Sequence, residues 1–554
     1  MTILDEARAW VERDPDPDTR DELQALIDAN ATDALQERFS GTLEFGTAGL
    51  RGLLGAGPNR MNRVTVSHAT AGLCAWLLHA VPEASTRGIC VGRDARPKSD
   101  VFERDVIEVA AGAGIPVFVF TDLVPTPMLA FAALRLRTAA GVMLTASHNP
   151  PGYNGYKVYW ENAAQIIPPN DAGIARQMAA AATKPIARMP LAEARAAGLL
   201  REIDGLREEY VAAIANEVAP SPNRAPLRIA YTALHGVAER TLREVLSRGG
   251  FDEVLSVAEQ AEPDGRFPTV DFPNPEEPGA MDRVLALGDA VRADLVIAND
   301  PDGDRVGAAA RGDDGFEVLS GNDIGVLLAD DLLRQSEAAQ PLVLSTVVSS
   351  PMLGRIAARH GARWEQTLTG HKWIQNRALE LEREGYTYVF GYEEALGYAP
   401  STQVRDKDGI SSALRLADLA SRLKSRGKTL LDARDGLWRE HGFFVDRQVS
   451  VRFEGANAQS RMRSVVDRVR ANPPKRVGGI PVVRVSEPDS TLLVFELEGG
   501  HRAMLRPSGT EPKLKYYFYA AGCVDEDDDL EAAKATTRSL LERIADDLTA
   551  TSDC

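Results

Sequence analysis

Ser147 stands in the run Thr145-Ala-Ser-His-Asn-Pro150, with His148 beside it and Lys157 ten residues on. The apolar stretch Ala139 to Leu144 stops at this cluster, and Pro150, Pro151, Gly152 and Gly155 prevent either regular element from continuing. The cluster therefore occupies a loop at the end of a strand, where α/β proteins hold backbone N–H groups and hydroxyls toward a ligand. Ser147 reads as a nucleophile or phosphate carrier with charged helpers, and a Ser/Asn capping loop is the alternative. A second run, Asn299-Asp300-Pro-Asp302-Gly-Asp304-Arg305, follows the apolar strand Leu295 to Ala298. Carboxylates at i, i+2 and i+4 around a glycine converge when the chain bends, making a compact all-oxygen site suited to Mg²⁺. An acidic surface turn is the alternative there. An EF-hand loop fails, because positions six and twelve counted from Asp300 hold Arg305 and Arg311 instead of glycine and glutamate.

Three further stretches carry candidate ligands. Gly41 to Gly52 is glycine-rich and contains Arg51, a suitable clamp for an oxyanion. Gly391-Tyr-Glu393-Glu394 follows the strand Tyr386 to Phe390, and buried carboxylates need partners, for which sugar hydroxyls are suitable. Arg506-Pro-Ser508-Gly509-Thr510-Glu-Pro-Lys513 combines cations, hydroxyls and a glycine in a nest-like phosphate grip. Gly370-His371-Lys372 sets two basic-capable groups at a helix start, and His235 at a strand-to-helix junction either contacts an anion or is a satisfied loop histidine. Arg405-Asp406-Lys-Asp408-Gly409 reads as structural, with acids placed to suit the helix that follows.

The elements that must position these residues alternate between strand and helix. Residues 4 to 38 read as two polar helices, followed by a helix from Met61 and short strands at 88–92, 117–120 and before Ser147. Ser99 reads as a helix cap, and 191–218 as one amphipathic helix. Strands at 227–232 and 295–298 begin a second unit, and 341–346 and 386–390 a third. A last segment, with strands at 449–453, 492–497 and 515–520, closes on a helix from Leu530. The fold class is α/β, with three similar domains of mixed sheet and a smaller α+β C-terminal domain around a central cleft, bounded at 1–220, 221–322, 323–445 and 446–554. The proline- and acid-rich loop 264–279 is informative only as an irregular segment.

The chain has 554 residues, too many for one core. Hydrophobic residues make up 44 %, with no run long enough to span a membrane. The net charge of -17 argues against a nucleic-acid partner. Cys74, Cys90, Cys523 and Cys554 form no metal spacing or disulfide framework, and no secretory signal opens the chain, so a cytoplasmic location is expected.

Thr145 to Pro150, Tyr153-Asn-Gly-Tyr-Lys157, Asp300 to Arg305, the Glu393-Glu394 loop and Arg506 to Pro512 resemble, in order, segments of the α-D-phosphohexomutases, the phosphoglucomutase and phosphomannomutase superfamily. That resemblance implies a phosphoserine at Ser147, with Arg51 near it, and Mg²⁺ held by Asp300, Asp302, Asp304 and the phosphoserine. Arg305 would help hold the reacting phosphate, Glu393 and Glu394 the sugar, and Arg506, Ser508, Gly509, Thr510 and Lys513 the phosphate that is not reacting. The four units become, in order, phosphoserine, metal-binding, sugar-recognition and phosphate-binding domains. Small sugar phosphates are the implied partners and glucose 1,6-bisphosphate the activating intermediate, with glucose the expected sugar and a monomer or homodimer the expected state. Phosphomannomutase, phosphopentomutase, bisphosphate synthase and an inactive sugar-phosphate-binding protein are the alternatives. Ala395 departs from the serine that many members carry after the paired glutamates.

Overall fold

The computed structural model describes residues 2–43, 49–218, 222–453, 457–489, 491–507, 513–524 and 530–552. The expected grip residues Ser508, Gly509 and Thr510 lie outside them. Four sheets carry the described chain. The first has six strands, in the order Leu50–Leu53, Tyr153–Tyr159, Ala140–Leu144, Ile89–Arg93, Val117–Val119 and Leu200–Glu202. Its central and far strands are parallel, as helical crossovers require, while Tyr153–Tyr159 returns antiparallel beside Ala140–Leu144. That return folds the Ser147 loop over the sheet's end. The second sheet sets Ile229–Thr232 parallel to Leu295–Asn299, which turns back as the antiparallel strand Val306–Gly312. In the third, Pro341–Thr346 lies parallel to Arg363–Thr367 and to Thr387–Glu393, and Gly397–Ala399 returns antiparallel. The fourth is wholly antiparallel, six strands with the helices Ala458–Ala471 and Leu530–Thr549 on one face. Three α/β domains with mixed sheets and a C-terminal domain of another construction are thus present.

Local chemistry revised several expected elements. The helix expected over 191–218 is two, Leu191–Ala196 and Leu206–Ala215, with the edge strand Leu200–Glu202 between them. Gly198 and Gly205 adopt left-handed backbone at φ 72° and 75°, which interrupts a helix that apolar periodicity alone would continue. The N-terminal helices number three, Ile3–Arg13, Pro17–Asp28 and Thr32–Phe39, the last two separated at Asn30. Ser99 is the first residue of its helix and does not cap it; the cap position holds Lys98, in left-handed backbone and without a side-chain capping bond.

A continuous apolar core joins the first three domains. Phe131 and Tyr210 of the first domain meet ring edge to face at 5.5 Å, and the same cluster contains Leu242 and Ile297 of the second and Leu414 and Trp438 of the third. A smaller cluster, Val347, Val348, Leu492, Val494, Met504, Tyr517 and Tyr519, attaches the outer face of the fourth sheet to the third domain. No helix among the described residues is long and apolar enough to cross a membrane.

Candidate active site

The strand Leu295–Asn299 and its antiparallel return pair Asn299 with Val306, so the residues between them must make a tight bend. Gly303 sits at that bend with φ 69°, and its N–H donates to the Asp300 carbonyl at 2.9 Å. This turns three aspartates inward. Asp300, Asp302 and Asp304 are fully buried and bring carboxylate oxygens within 4.8 Å of one another. Ser147 Oγ donates to Asp300 Oδ2 at 2.9 Å, across 153 positions of sequence. Lys157 donates to Asp302 Oδ2 at 2.6 Å and to Asp304 Oδ2 at 2.7 Å, and Lys407 approaches Asp304 Oδ2 to 3.0 Å. Thr126 takes the remaining bond to Asp302 Oδ2 at 2.6 Å.

Burial and the two neighbouring carboxylates push Asp300 well above the usual carboxylate range. Burial acts in the same direction on Asp304, but Lys157, Lys407 and Arg305 outweigh it and hold that group below its ordinary value. Asp302 Oδ1 and Asp304 Oδ1 are buried without a hydrogen-bond partner. Orphaned carboxylate oxygens in a buried all-oxygen cluster fit a hard divalent cation, which would satisfy both while the lysines keep the opposite oxygens.

The serine loop is held with equal care. Ser147 has φ 52°, a left-handed conformation that costs a non-glycine residue about 1–3 kcal/mol and needs its surroundings to enforce it. The Ser147 N–H donates to Thr145 Oγ1 at 2.8 Å. Arg96 donates to the Ser147 carbonyl at 2.6 Å and to those of Pro150 and Tyr153 at 2.9 Å each. His148 Nδ1 lies 3.3 Å from Ser147 Oγ, and burial, then Arg305 and Arg51, keep this imidazole well below its ordinary pKa and therefore neutral. Arg51 donates to Asn149 Oδ1 at 2.9 Å, and burial with Arg305 nearby lowers it to about 10. Arg305 donates its backbone N–H to Asp300 Oδ1 at 3.0 Å, and its guanidinium stands 3.9 Å from Asp304.

The third domain faces this centre with Glu393, buried at the end of its strand. Glu394 Oε2 accepts from Thr346 Oγ1 and Ser349 Oγ at 3.0 Å each, and burial plus the adjacent Glu393 raise this carboxyl to about 8. Gly391 is packed within the strand, where a Cβ would come 2.6 Å from Ile374 Cγ2. His371 and Lys372 open the helix His371–Arg383 as buried groups. Burial lowers His371 to about 4, and it lowers Lys372 too. In the fourth domain Arg506 lies near the end of its strand, in hydrogen-bond contact with Tyr517, and Lys513 begins the strand beside it.

Two groups of the site were not singled out from sequence. Arg96 had no signal beyond a polar turn before a helix. Lys407 lies in the segment read as structural: Asp408 does cap the next helix, accepting from Ile410 N–H at 3.0 Å and Ser411 N–H at 3.1 Å, while the lysine beside it reaches another domain. The loop 264–279 also proves to be a wall of the site. Phe267 lies under the Arg96 guanidinium at 4.9 Å and the Phe272 ring 6.1 Å from that of His148. Gly265 has no room for a side chain, since a Cβ would come 2.3 Å from the Ala95 carbonyl oxygen. His235 serves this loop too, with Nε2 2.8 Å from Thr269 Oγ1.

Three consecutive stretches match domains of known proteins: residues 42–184, 208–313 and 320–441 match α/β/α domains I, II and III of phosphoglucomutase/phosphomannomutase. The chain belongs to that family. It is a phosphomutase, an intramolecular phosphotransferase of the α-D-phosphohexomutase superfamily. The chain is 40 % identical to a probable phosphomannomutase of Haemophilus influenzae, over 85 % of its own length and 95 % of the relative's. It is 34 % identical to the phosphopentomutase of Mus musculus, over 92 % and 89 %. A phosphoglucomutase/phosphomannomutase family protein of Burkholderia thailandensis shares the fold, with a TM-score of 0.68 at 21 % identity, covering 91 % of this mutase and 95 % of that structure. Within the mutase the matched domains I and II carry the serine loop and the aspartates, so the contact of Ser147 with Asp300 spans their boundary.

Proposed function

We propose that the mutase interconverts glucose 1-phosphate and glucose 6-phosphate through a phosphoserine at Ser147 and a bisphosphate intermediate. The observation that carries the transfer chemistry is Ser147 Oγ at 2.9 Å from Asp300, inside a buried triad with two orphaned oxygens. Asp300, Asp302 and Asp304, with the phosphoryl oxygens on Ser147, would hold Mg²⁺, which when bound supplies positive charge to the transferring phosphoryl group. Arg96 fixes the Ser147 carbonyl, and with it the direction of Oγ. The neutral His148, 3.3 Å from that oxygen, is suited to take the proton of the attacking sugar hydroxyl as the Ser147 O–P bond breaks and the sugar O–P bond forms. Lys157 is engaged by two carboxylates, so its part is to balance their charge. Arg51 and Arg305 line the same pocket as oxyanion clamps.

A mutase needs a second anchor, because the bisphosphate must turn round between the half-reactions. Arg506 and Lys513, at the facing strand ends of the C-terminal sheet, support that reading for the segment between them. Glu393 is placed to accept from two adjacent ring hydroxyls, each such bond being worth roughly 1–3 kcal/mol of discrimination. A pentose phosphate is the second reading. Ala395 removes a hydroxyl beside Glu393 and Glu394, and the murine relative is named a phosphopentomutase. The test is the specificity constant for glucose 1-phosphate, mannose 1-phosphate and ribose 1-phosphate with the activating bisphosphate present. Glucose should lead; a tenfold advantage for either competitor overturns the assignment of sugar while leaving the phosphoryl chemistry in place.

A further inference from the structure

A hollow of about 520 Å³ opens where the third and fourth domains meet, and none of the groups assigned above to transfer, sugar or phosphate lines it. Its walls include Gln366 and Leu368 at the end of an edge strand, Trp373 and Arg377 on the helix His371–Arg383, and Val494 and Arg502 on the outer face of the C-terminal sheet. Along the strand Arg502–Pro507, side chains alternate: Ala503 and Leu505 enter the core beneath the helices, while Met504 packs on Val347 and Val348. Arg502 and Arg506 therefore share Met504's face, about 13 Å apart at roughly 3.3 Å per residue. The Met504 contact lies between them. Arg506 lies near the end of the strand on the cleft side, and Arg502 enters the hollow.

Arg502 and Gln366 bring donors into the hollow. Burial lowers the Arg502 pKa, yet its guanidinium donates to the Val347 carbonyl at 3.2 Å, and among the described residues no carboxylate lies within 4 Å of it. Gln366 Nε2 is buried without a partner. Two carboxylates also line the hollow: Glu380 pairs with Arg377 at 2.8 Å, and Glu496 lies opposite Arg502 on the neighbouring strand, 3.9 Å from Arg484. A half-buried guanidinium and an unpaired amide N–H beside an indole and aliphatic walls are complementary to an oxyanion joined to an apolar body.

We infer that this seam is a second ligand site, which takes a small metabolite bearing a phosphate or carboxylate on an apolar body. The anion binds Arg502 and Gln366 while the body rests against Trp373 and Leu368. Such a ligand spans the two domains and fixes the C-terminal sheet against the helix His371–Arg383.

Phenyl phosphate and benzoate are the probes, titrated calorimetrically into the full chain with a non-reacting sugar phosphate filling the catalytic cleft. At least one should bind, and Arg502→Gln should weaken it at least tenfold while changing kcat/KM in probe-free buffer less than twofold. Arg506→Gln should leave that binding unchanged. Which probe binds distinguishes a phosphorylated from a carboxylated ligand. Failure of both to bind, equal binding by wild type and Arg502→Gln, or loss only in Arg506→Gln overturns the inference. Gln366→Leu, expected to weaken binding about fivefold, gives the same readout if Arg502→Gln does not fold.

Discussion

Lys407 is the most informative residue to remove, because its charge and that of a metal ion both neutralise the same carboxylate cluster. Its Nζ lies 3.0 Å from Asp304 Oδ2 and 3.7 Å from Asp406 Oδ1, with the side chain buried. At an effective dielectric constant of about 20, a pair at 3.0 Å is worth roughly 5 kcal/mol of attraction, partly offset by desolvation of the ammonium. Breaking a buried pair by removing one partner costs about 3–5 kcal/mol. Asp304 keeps Lys157 at 2.7 Å, so Lys407→Met should fall at the lower end, near 3 kcal/mol. That loss belongs to the metal-free protein. With Mg²⁺ bound, the cation compensates the same carboxylates, and the loss should shrink to about 1 kcal/mol, the scale of a partly compensated pair. Urea unfolding of both proteins in EDTA and in saturating Mg²⁺ measures the two differences. In EDTA, Asp304→Asn added to Lys407→Met should recover most of the stability, since the unpaired charge is then gone. An equal loss with and without Mg²⁺, or no recovery in the double variant, would refute the idea that lysine and ion share the neutralisation of this cluster.

Ser147→Ala should cut turnover at least about 10⁴-fold without changing the unfolding midpoint, and radiolabelled bisphosphate should leave no label on the protein. Normal turnover would remove the serine from the mechanism. Arg96→Lys keeps the charge but loses the planar fork that reaches the carbonyls of Ser147, Asn149, Pro150 and Tyr153, so kcat should drop about 10²-fold through misplacement of Oγ, with KM nearly unchanged. A change confined to KM would count against a positioning role. Glu394, raised to about 8 by burial and by Glu393, keeps its proton in the fold when the unfolded chain has lost it. Its contribution to stability therefore declines as pH rises from its ordinary pKa toward 8 and is level above that, at about 1.4 kcal/mol per unit. Glu394→Gln removes that slope, so the variant should gain on the wild type between pH 5 and 8; parallel stability curves would show that the carboxyl is not held neutral.

What could be read from the chain was what lies close together in it. The serine loop and the Asp300–Arg305 bend each compress their chemistry into a few residues, with the strand before them marked by a continuous apolar run. Strand and helix alternation identified the α/β domains for the same reason. The long helix expected over 191–218 failed because Gly198 and Gly205 act through backbone conformation, which side-chain periodicity does not register. Arg96 and Lys407 escaped notice because their partners are remote. The lysine's carboxylate is in another domain, and the local signal around it was already accounted for by the Asp408 cap. Loop 264–279 carries no regular pattern, and its contribution consists of contacts that only the assembled domains create.

That loop gives Ser147 two owners. The backbone of its turn comes from the first domain, but the aromatic rings beneath Arg96 and beside His148 are supplied by the second, against a glycine that tolerates no substituent. A chimera that exchanged one of these domains for a relative's would have to match three contacts at once, and an insertion in either partner would be felt at Oγ. The two are therefore a single heritable module in engineering terms, to be transplanted, truncated or shuffled together.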